Sequence, residues 1–311
     1  MEAPAHASVA RHRRRGPLPV SSLSRRARCS GGRCCLLAPP HVLPYLSGET
    51  MWLLACFAPA ALLLALFAYN RLSTRVCRCK ADLSGRTVVI TGANTGIGYE
   101  TARQLALRGA RLVLGCRNEE RARRAVERLC AETRSSAVSW LPLDTSSPDS
   151  VRAFVDRLLR LTGGRVHVLV NNAATAAAYD RRRLTAEGHE LVWATNYLGH
   201  YLLTRLLLRV SVSAVHPGVV DTPVARGLTR VGEPWFGLLS TLFGGKTVRE
   251  ACETTVHAVV AANPRSGWYL SDCRARWPAA RCADDERDAG RLWALSELSF
   301  PTLPPVGEGS R

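Results

Sequence analysis

Lysine is almost absent from this sequence. Its 311 residues hold 42 lysines and arginines, of which only Lys80 and Lys246 are lysine. Chemistry that needs an ammonium group beside a second chosen side chain is thereby confined to two places. Acidic residues are also scarce, 25 in all, and the net charge is +17. The excess is uneven: residues 1–80 hold 12 basic and 2 acidic residues and so carry +10 of it. Arg11-His12-Arg13-Arg14-Arg15 and Arg25-Arg26 lie in this part without interleaved aromatics. That pattern reads as a disordered basic tail over 1–50, and no nucleic-acid partner is expected. A disulfide framework is missing too. The 11 cysteines are scattered, three in the tail, Cys56 in an apolar run, Cys77 and Cys79 just beyond it. They read as reduced thiols on the cytosolic side. Cys77-Arg78-Cys79 has no second cluster and no histidine at ligand spacing, so no metal is expected. Its place next to the apolar run suits palmitoylation of Cys77 or Cys79.

Residues 51–69 contain no charge at all. At 1.5 Å per residue such a helix nearly crosses the hydrocarbon core of a bilayer. Arg71, Arg75, Arg78 and Lys80 follow directly, which places the rest of the chain in the cytoplasm. A cleaved signal peptide is the alternative, but the run is long and lacks a clear small-x-small exit. The sequence thus divides into a tail (1–50), a membrane anchor (51–70), a basic linker (71–84), a domain (85–300) and an irregular, proline-containing end (301–311). Some 220 residues are enough for a sizeable core.

Within the domain, Thr87-Val88-Val89-Ile90 is a β-branched apolar run that reads as a buried parallel strand. Gly92, Gly96 and Gly98 come next, and Tyr99 to Arg108 reads as a helix with Ala102, Leu105 and Ala106 on one face. Glycines between a strand and a helix allow a sharp turn and close approach of a pyrophosphate to the backbone. The helix N-terminus adds free N–H groups and a positive dipole end. The spacing here is Gly-x-x-x-Gly-x-Gly.

Thr91-Gly92-Ala93-Asn94-Thr95-Gly96-Ile97-Gly98 resembles the cofactor loop of the short-chain dehydrogenases/reductases, and more closely that of their membrane-bound retinol dehydrogenase branch. Further matches follow in order: Leu114 to Asn118, Leu143-Asp144, Val168 to Ala173, Asn196 to Thr204, Val215 to Val220, Gly267 to Cys273 and Arg291 to Trp293. The resemblance spans roughly residues 51–300. It implies a doubly wound parallel sheet and NADP(H)-dependent hydride transfer between retinaldehyde-like carbonyls and alcohols at the endoplasmic reticulum membrane. It also implies a lipophilic alcohol or aldehyde as substrate, with helices at 238–243 and 248–260 walling the pocket; the same apolar residues suit plain core.

The resemblance assigns cofactor contacts to Gly92, Asn94, Thr95, Gly96, Ile97, Gly98, Arg117, Asp144, Asn171, Pro217 and Gly218. Arg117 lies just past the second strand, where an arginine suits a ribose 2′-phosphate; a solvated surface arginine is the plainer reading. Asp144 would meet the adenine amine, or else belongs to the N-cap region of a helix from about Asp149 to Arg160. Asn171 ends a strand, where ligand-binding groups of open α/β sheets gather. Ala174 stands where the family has glycine and would crowd the cofactor.

Asn196 is the family catalytic position that remains. The serine, tyrosine and lysine expected with it do not. A tyrosine with its usual pKa of about 10 needs a lysine one turn on to act near neutral pH. Val76 and Leu242 stand four residues before the two lysines, so Tyr-x-x-x-Lys does not occur. The helix from Asn196 runs to about Arg209 and passes at once into Val210 to Val215, where the family places on the order of 60 further residues. The fold expected is therefore a sheet shortened by one strand and one helix, with the strand at 211–215 docked beside that at 166–170 in the vacated slot. Ser211 and Ser213 align with the later strand and are poor replacements for the serine. Tyr197, Tyr201, His200 and His216 read as packing residues. Two functions follow: an oxidoreductase defective in this form, or a non-catalytic dinucleotide-binding protein that pairs with intact relatives.

Overall fold

The structure is a computed structural model that describes residues 48–176, 183–207, 212–220, 222, 245–261, 266–276, 283 and 285–303. The basic tail to residue 47, the expected helix at 238–243, Ser211 and the chain end beyond 303 lie outside these. Leu53–Arg311 belongs to one compact unit.

Helix α1 (Gly48–Ser73) runs for 26 residues with Pro59 inside it. Most of its described apolar side chains, Trp52, Leu53, Phe57 and Leu62 to Leu64 among them, are exposed. Over the described residues alone, no helix is long and apolar enough to cross a membrane.

Strands β1 (Thr87–Thr91), β2 (Arg111–Cys116), β3 (Val138–Pro142) and β4 (Val168–Val170) form a parallel sheet in the order β3-β2-β1-β4. The intervening helices are α2 (Gly96–Ala106), α3 (Glu119–Thr133) and α4 (Pro148–Thr162). Alternate side chains of one strand enter opposite layers. Val88, Ile90, Leu112 and Leu114 pack on the side of α2 and α3. Val89 and Val113 pack on the other, against Val151, Phe154, Val155 and Leu158 of α4. Both faces are covered, which is why these strands read as unbroken apolar runs.

Local signals set the element ends. Ser147 caps α4 by accepting from the Ser150 N–H, Pro148 occupies its first turn, and Gly163 ends it at φ 60°. The helix thus extends one residue before and two beyond the expected 149–160. Helix α2 starts at Gly96, three residues before the expected start, so two of the three loop glycines are themselves helical.

After β4 the chain forms a short turn α5 (Leu191–Trp193), a π-helical turn (Ala194–Leu198) and α6 (Gly199–Leu207). Then come β5 (Ser213–His216), α7 (Val248–Val260), β6 (Trp268–Ser271), β7 (Arg274–Arg276) and α8 (Glu286–Leu298). Helix α7 packs on α2 and α6 on α4.

The doubly wound parallel architecture is as expected, but the docking of the strand after α6 is not. β5 does not pair with β4. It forms a second sheet in the order β5-β6-β7, with Ser213 opposite Trp268 and His216 opposite Ser271. β6 satisfies only one edge of β5, and among the described residues no strand pairs with the other, as expected where the strand that would lie between β4 and β5 is absent. Residues of both strands instead line a shared cavity, Val168 to Val170 on one side and Val212 to Val215 on the other.

Candidate functional site

The site begins at the N-terminus of α2. Thr95 is its N-cap residue, extended at φ −153°, and its side chain makes no capping hydrogen bond. Helices α3, α4, α7 and α8 are capped by the side chains of Asn118, Ser147, Thr247 and Asp285. Helix α2 has no acidic residue in its first turn either. It therefore presents backbone N–H groups and an uncompensated positive dipole end, which is what an anionic group binds.

These groups face a cavity of about 1060 Å³ at the carboxyl ends of β1, β2 and β4. Gly92, Asn94, Thr95, Gly96 and Ile97 line it. So do Arg117, Asp144, Asn171 and Pro217. Five parts of the sequence proposed as one site are thus brought to one place. Ala174 also lines the cavity.

Three proposed residues sit differently. Gly98 does not line the cavity; a Cβ there would lie 2.4 Å from Asn172 Nδ2 and 2.9 Å from the Gly92 carbonyl oxygen. Its glycine is needed for packing between the loop and the end of β4. Gly218, at φ +88°, holds the side chain of Lys246, which a Cβ would meet at 2.7 Å. Asn196 lies in the π-helical turn and clamps the backbone of Thr175: Oδ1 accepts from the Thr175 N–H at 2.8 Å, and Nδ2 donates to its carbonyl at 2.9 Å.

At the far end Arg117 Nη1 stands 3.8 Å from Asp144 Oδ2, its side chain 69% exposed. Asp144 Oδ1 accepts from the N–H and the hydroxyl of Ser146, at 2.9 and 2.6 Å. Asp144 therefore orders the turn before α4 and also reaches the cavity; the N-cap itself is Ser147. Arg121 and Asn118 line the same end. Asn171 Nδ2 donates to Thr204 Oγ1 at 2.9 Å.

A residue the sequence reading passed over holds these parts together. Thr91 is fully buried. Its Oγ1 accepts from the N–H groups of Asn172 and Ala173, at 2.9 and 2.8 Å. His200 Nε2 lies 3.0 Å from the same oxygen, and His200 Nδ1 lies 3.2 Å from the Asn196 carbonyl. With two N–H groups already donated to it, the hydroxyl directs its own proton to Nε2, which leaves Nδ1–H to donate to Asn196. Burial lowers the His200 pKa and keeps it neutral.

The side chains capable of proton transfer lie elsewhere. Lys246 Nζ is tied to Asp272 Oδ1 at 2.5 Å, and Lys80 is exposed in the linker. Tyr197 and Tyr201 pack against α8: Tyr197 shares a hydrogen bond with Ser296 Oγ at 2.9 Å, and the Tyr201 hydroxyl donates to Glu297. Burial and that carboxylate push the Tyr201 pKa up, away from any proton-transfer role. Both tyrosines are the packing residues expected. No described tyrosine is paired with a lysine. Outside the cavity, His257 of α7 lies beside Cys77 and Cys79. Local spacing showed no histidine for that pair; the fold supplies one from 180 residues away.

The short chain dehydrogenase family profile matches residues 86–211. Mouse retinol dehydrogenase 12 is 32% identical over 286 residues, with 71% of this chain and 88% of that protein covered. Mouse retinol dehydrogenase 13 is 42% identical over 288 residues, covering 71% and 85%. An uncharacterized protein from Mycobacterium paratuberculosis, known as a crystal structure, superposes with a TM-score of 0.53 at 26% identity over 73% of this chain and 97% of its own. The 3-ketoacyl-(acyl-carrier-protein) reductase of Brucella melitensis, solved with NADH, shares the fold at TM-score 0.51 and 20% identity, covering 61% and 97%. With its glycine loop, its parallel sheet and these relatives in agreement, the chain belongs to the short-chain dehydrogenase/reductase superfamily, in the retinol dehydrogenase branch.

Proposed function

We propose that this chain is an NADP(H)-dependent oxidoreductase of the retinol dehydrogenase type whose present form binds the dinucleotide but is catalytically defective. The observation that carries the binding half is the uncapped N-terminus of α2 opening into the cavity beside Gly92 and Gly96. Those groups fit a pyrophosphate, and Arg117 and Arg121 at the far end suit a ribose 2′-phosphate. When bound, the cofactor supplies the hydride. The chain's own residues orient it: Thr91, His200 and Asn196 brace the loop after β4, and Asp144 braces the turn before α4.

The defect rests on what is missing around that cavity. Proton transfer by a positioned side chain typically contributes about 10²–10⁴-fold, and the sequence holds no Tyr-x-x-x-Lys. The match to mouse retinol dehydrogenase 12 supports an excised segment. It runs for 286 residues while using 71% of the 311 here, about 221, so about 65 aligned positions lack a counterpart. A missing strand between β4 and β5 agrees with two sheets that face one cavity without pairing.

The substrate we infer is a lipophilic alcohol or aldehyde such as a retinoid, in line with the relatives' names. Residues 51–70 serve as an anchor in the endoplasmic reticulum membrane, with the linker 71–84 and the domain 85–300 on the cytoplasmic side. The uncharged run 51–69 and the basic residues after it support this. NADPH binding without turnover would favour a second reading, a non-catalytic partner of intact relatives.

The test is NADPH-dependent reduction of all-trans-retinaldehyde by the chain in membranes, beside a version carrying the relatives' missing segment, with NADPH affinity measured for both. Turnover by the restored form alone, with NADPH bound by both, is the expected result. Equal turnover by both removes the defect from the proposal. Failure of either form to bind NADPH removes the cofactor assignment.

A further inference from the structure

We propose that Cys77, Cys79 and His257 form a structural Zn²⁺ site that fastens the linker after α1 to helix α7. The ligand atoms of the three residues lie within 4.8 Å of one another. His257 Nδ1 is 3.8 Å from Cys77 Sγ and 3.7 Å from Cys79 Sγ. Around a tetrahedral zinc, with Zn–S about 2.3 Å and Zn–N about 2.0–2.1 Å, a sulfur and a nitrogen ligand stand about 3.5–3.6 Å apart. The observed separations exceed that by only about 0.1–0.3 Å, so small side-chain adjustments would seat the ion. Two thiolates and one imidazole are also the donor set that zinc prefers over magnesium or calcium.

The surroundings hold this geometry in place. Cys77 is 7% exposed. Its N–H donates to Glu253 Oε2 at 2.9 Å. Glu253 is buried and precedes His257 by four residues, so one face of α7 presents both to the linker. The carboxylate fixes the backbone of the first ligand, the outer-shell arrangement that orients ligands in metal sites. Cys273 stands close by, its Sγ 3.8 Å from the Arg75 carbonyl oxygen. That thiol lies outside the group of ligand atoms, so solvent completes the tetrahedron. As zinc binds, two S–H bonds give way to two Zn–S bonds and two protons leave to solvent; no oxidant is needed. None of the three ligands lines the dinucleotide cavity, so the role is structural. The ion ties together residues 180 positions apart.

The experiment uses the full chain in detergent with Cys29, Cys34 and Cys35 changed to serine, which removes the thiols of the tail. Metal-free protein is titrated with Zn²⁺ alone against a chromophoric chelator, and with Co²⁺ for its absorption spectrum. One equivalent of zinc is expected, and cobalt should give the intense bands of a tetrahedral, sulfur-bound ion. Cys79→Ser and His257→Ala should each weaken binding by more than the roughly 10–100-fold typical of losing an outer-shell partner, and Glu253→Gln should fall within that range. His257→Cys keeps a ligand and should keep the metal, which separates loss of the site from loss of the fold. In the unsubstituted chain, zinc should slow alkylation of Cys77 and Cys79. No uptake, uptake unchanged by Cys79→Ser and His257→Ala, or an octahedral cobalt spectrum would each overturn the proposal.

Discussion

Thr91 Oγ1 and His200 Nε2 lie 3.0 Å apart in the core, joining the end of β1 to α6 beneath the cavity. The same hydroxyl accepts the N–H groups of Asn172 and Ala173. One side chain thus ties the glycine loop, the end of β4 and the helix that carries Asn196.

Thr91→Val keeps the shape and removes the acceptor. Two half-buried N–H groups lose their partner, at a cost of up to about 1–3 kcal/mol for each group left unsatisfied. We expect urea unfolding to show a loss of about 2 kcal/mol, with weaker NADPH binding. An unchanged midpoint would mean that the loop does not depend on this oxygen.

The burial of His200 makes stability depend on pH. Burial lowers the His200 pKa below the ordinary histidine value of about 6.5. In the unfolded chain it binds a proton more readily than in the fold. Its contribution is therefore fully present above about pH 6.5 and is lost as pH falls through the folded value. A urea series from pH 7.5 to 5 should show stability declining below about pH 6.5. In His200→Gln that component should flatten; a parallel decline would assign it to other groups.

Gly98 is expected to matter for packing rather than for ligand contact. Its Cβ would press on Asn172 Nδ2 and on the Gly92 carbonyl. Gly98→Ala should cost about 1–3 kcal/mol, as overpacking does. Gly163→Ala meets nothing within 4 Å but keeps a positive φ of 60°, and should cost about 1 kcal/mol. Equal losses at the two sites in thermal or urea unfolding would contradict this ranking.

What the sequence disclosed and what it hid differ in kind. The β1 run, the glycine loop and the end of β4 are local signals, so Gly92, Gly96 and Asn171 could be placed from residue type and neighbours. Thr91 gave no local sign, because its partners Asn172 and His200 lie 81 and 109 residues away. The grouping of Cys77 and Cys79 with His257 was hidden for the same reason. The packing role of Gly98 was hidden because glycine that spares a phosphate and glycine that spares a neighbouring amide look alike in sequence. The position of β5 was missed because its pairing with β6 depends on residues beyond the expected gap.

Arg117 is the residue on which cofactor preference should turn. Its guanidinium is exposed and 3.8 Å from Asp144, free to close on a 2′-phosphate. Charge-assisted hydrogen bonds contribute about 1.5–3 kcal/mol, so Arg117→Ala should weaken NADPH by roughly ten- to hundred-fold and leave NADH nearly unchanged. Fluorescence titration with both cofactors decides it. Equal losses would end the assignment of NADP(H) over NAD(H).

The edge of β4 offers the sharpest test of the missing strand. β4 pairs with β1 on one side only, and its other side faces the cavity that β5 also lines. Amides on an unpaired edge exchange with solvent far faster than those inside a sheet. Native-state hydrogen exchange should therefore show the amides of Val168 to Val170 that do not face β1 poorly protected, while those of Val88 to Ile90 are protected up to global unfolding. In a chain with the relatives' segment restored, a strand entering between β4 and β5 should protect the β4 edge and the facing amides of Ser213 to Val215 together, because both edges gain the same partner. Protection already present in the unrestored chain would mean that the two sheets close on each other in solution. The gap in sequence would then leave no gap in the fold, and the proposed defect would rest on the absent tyrosine and lysine alone.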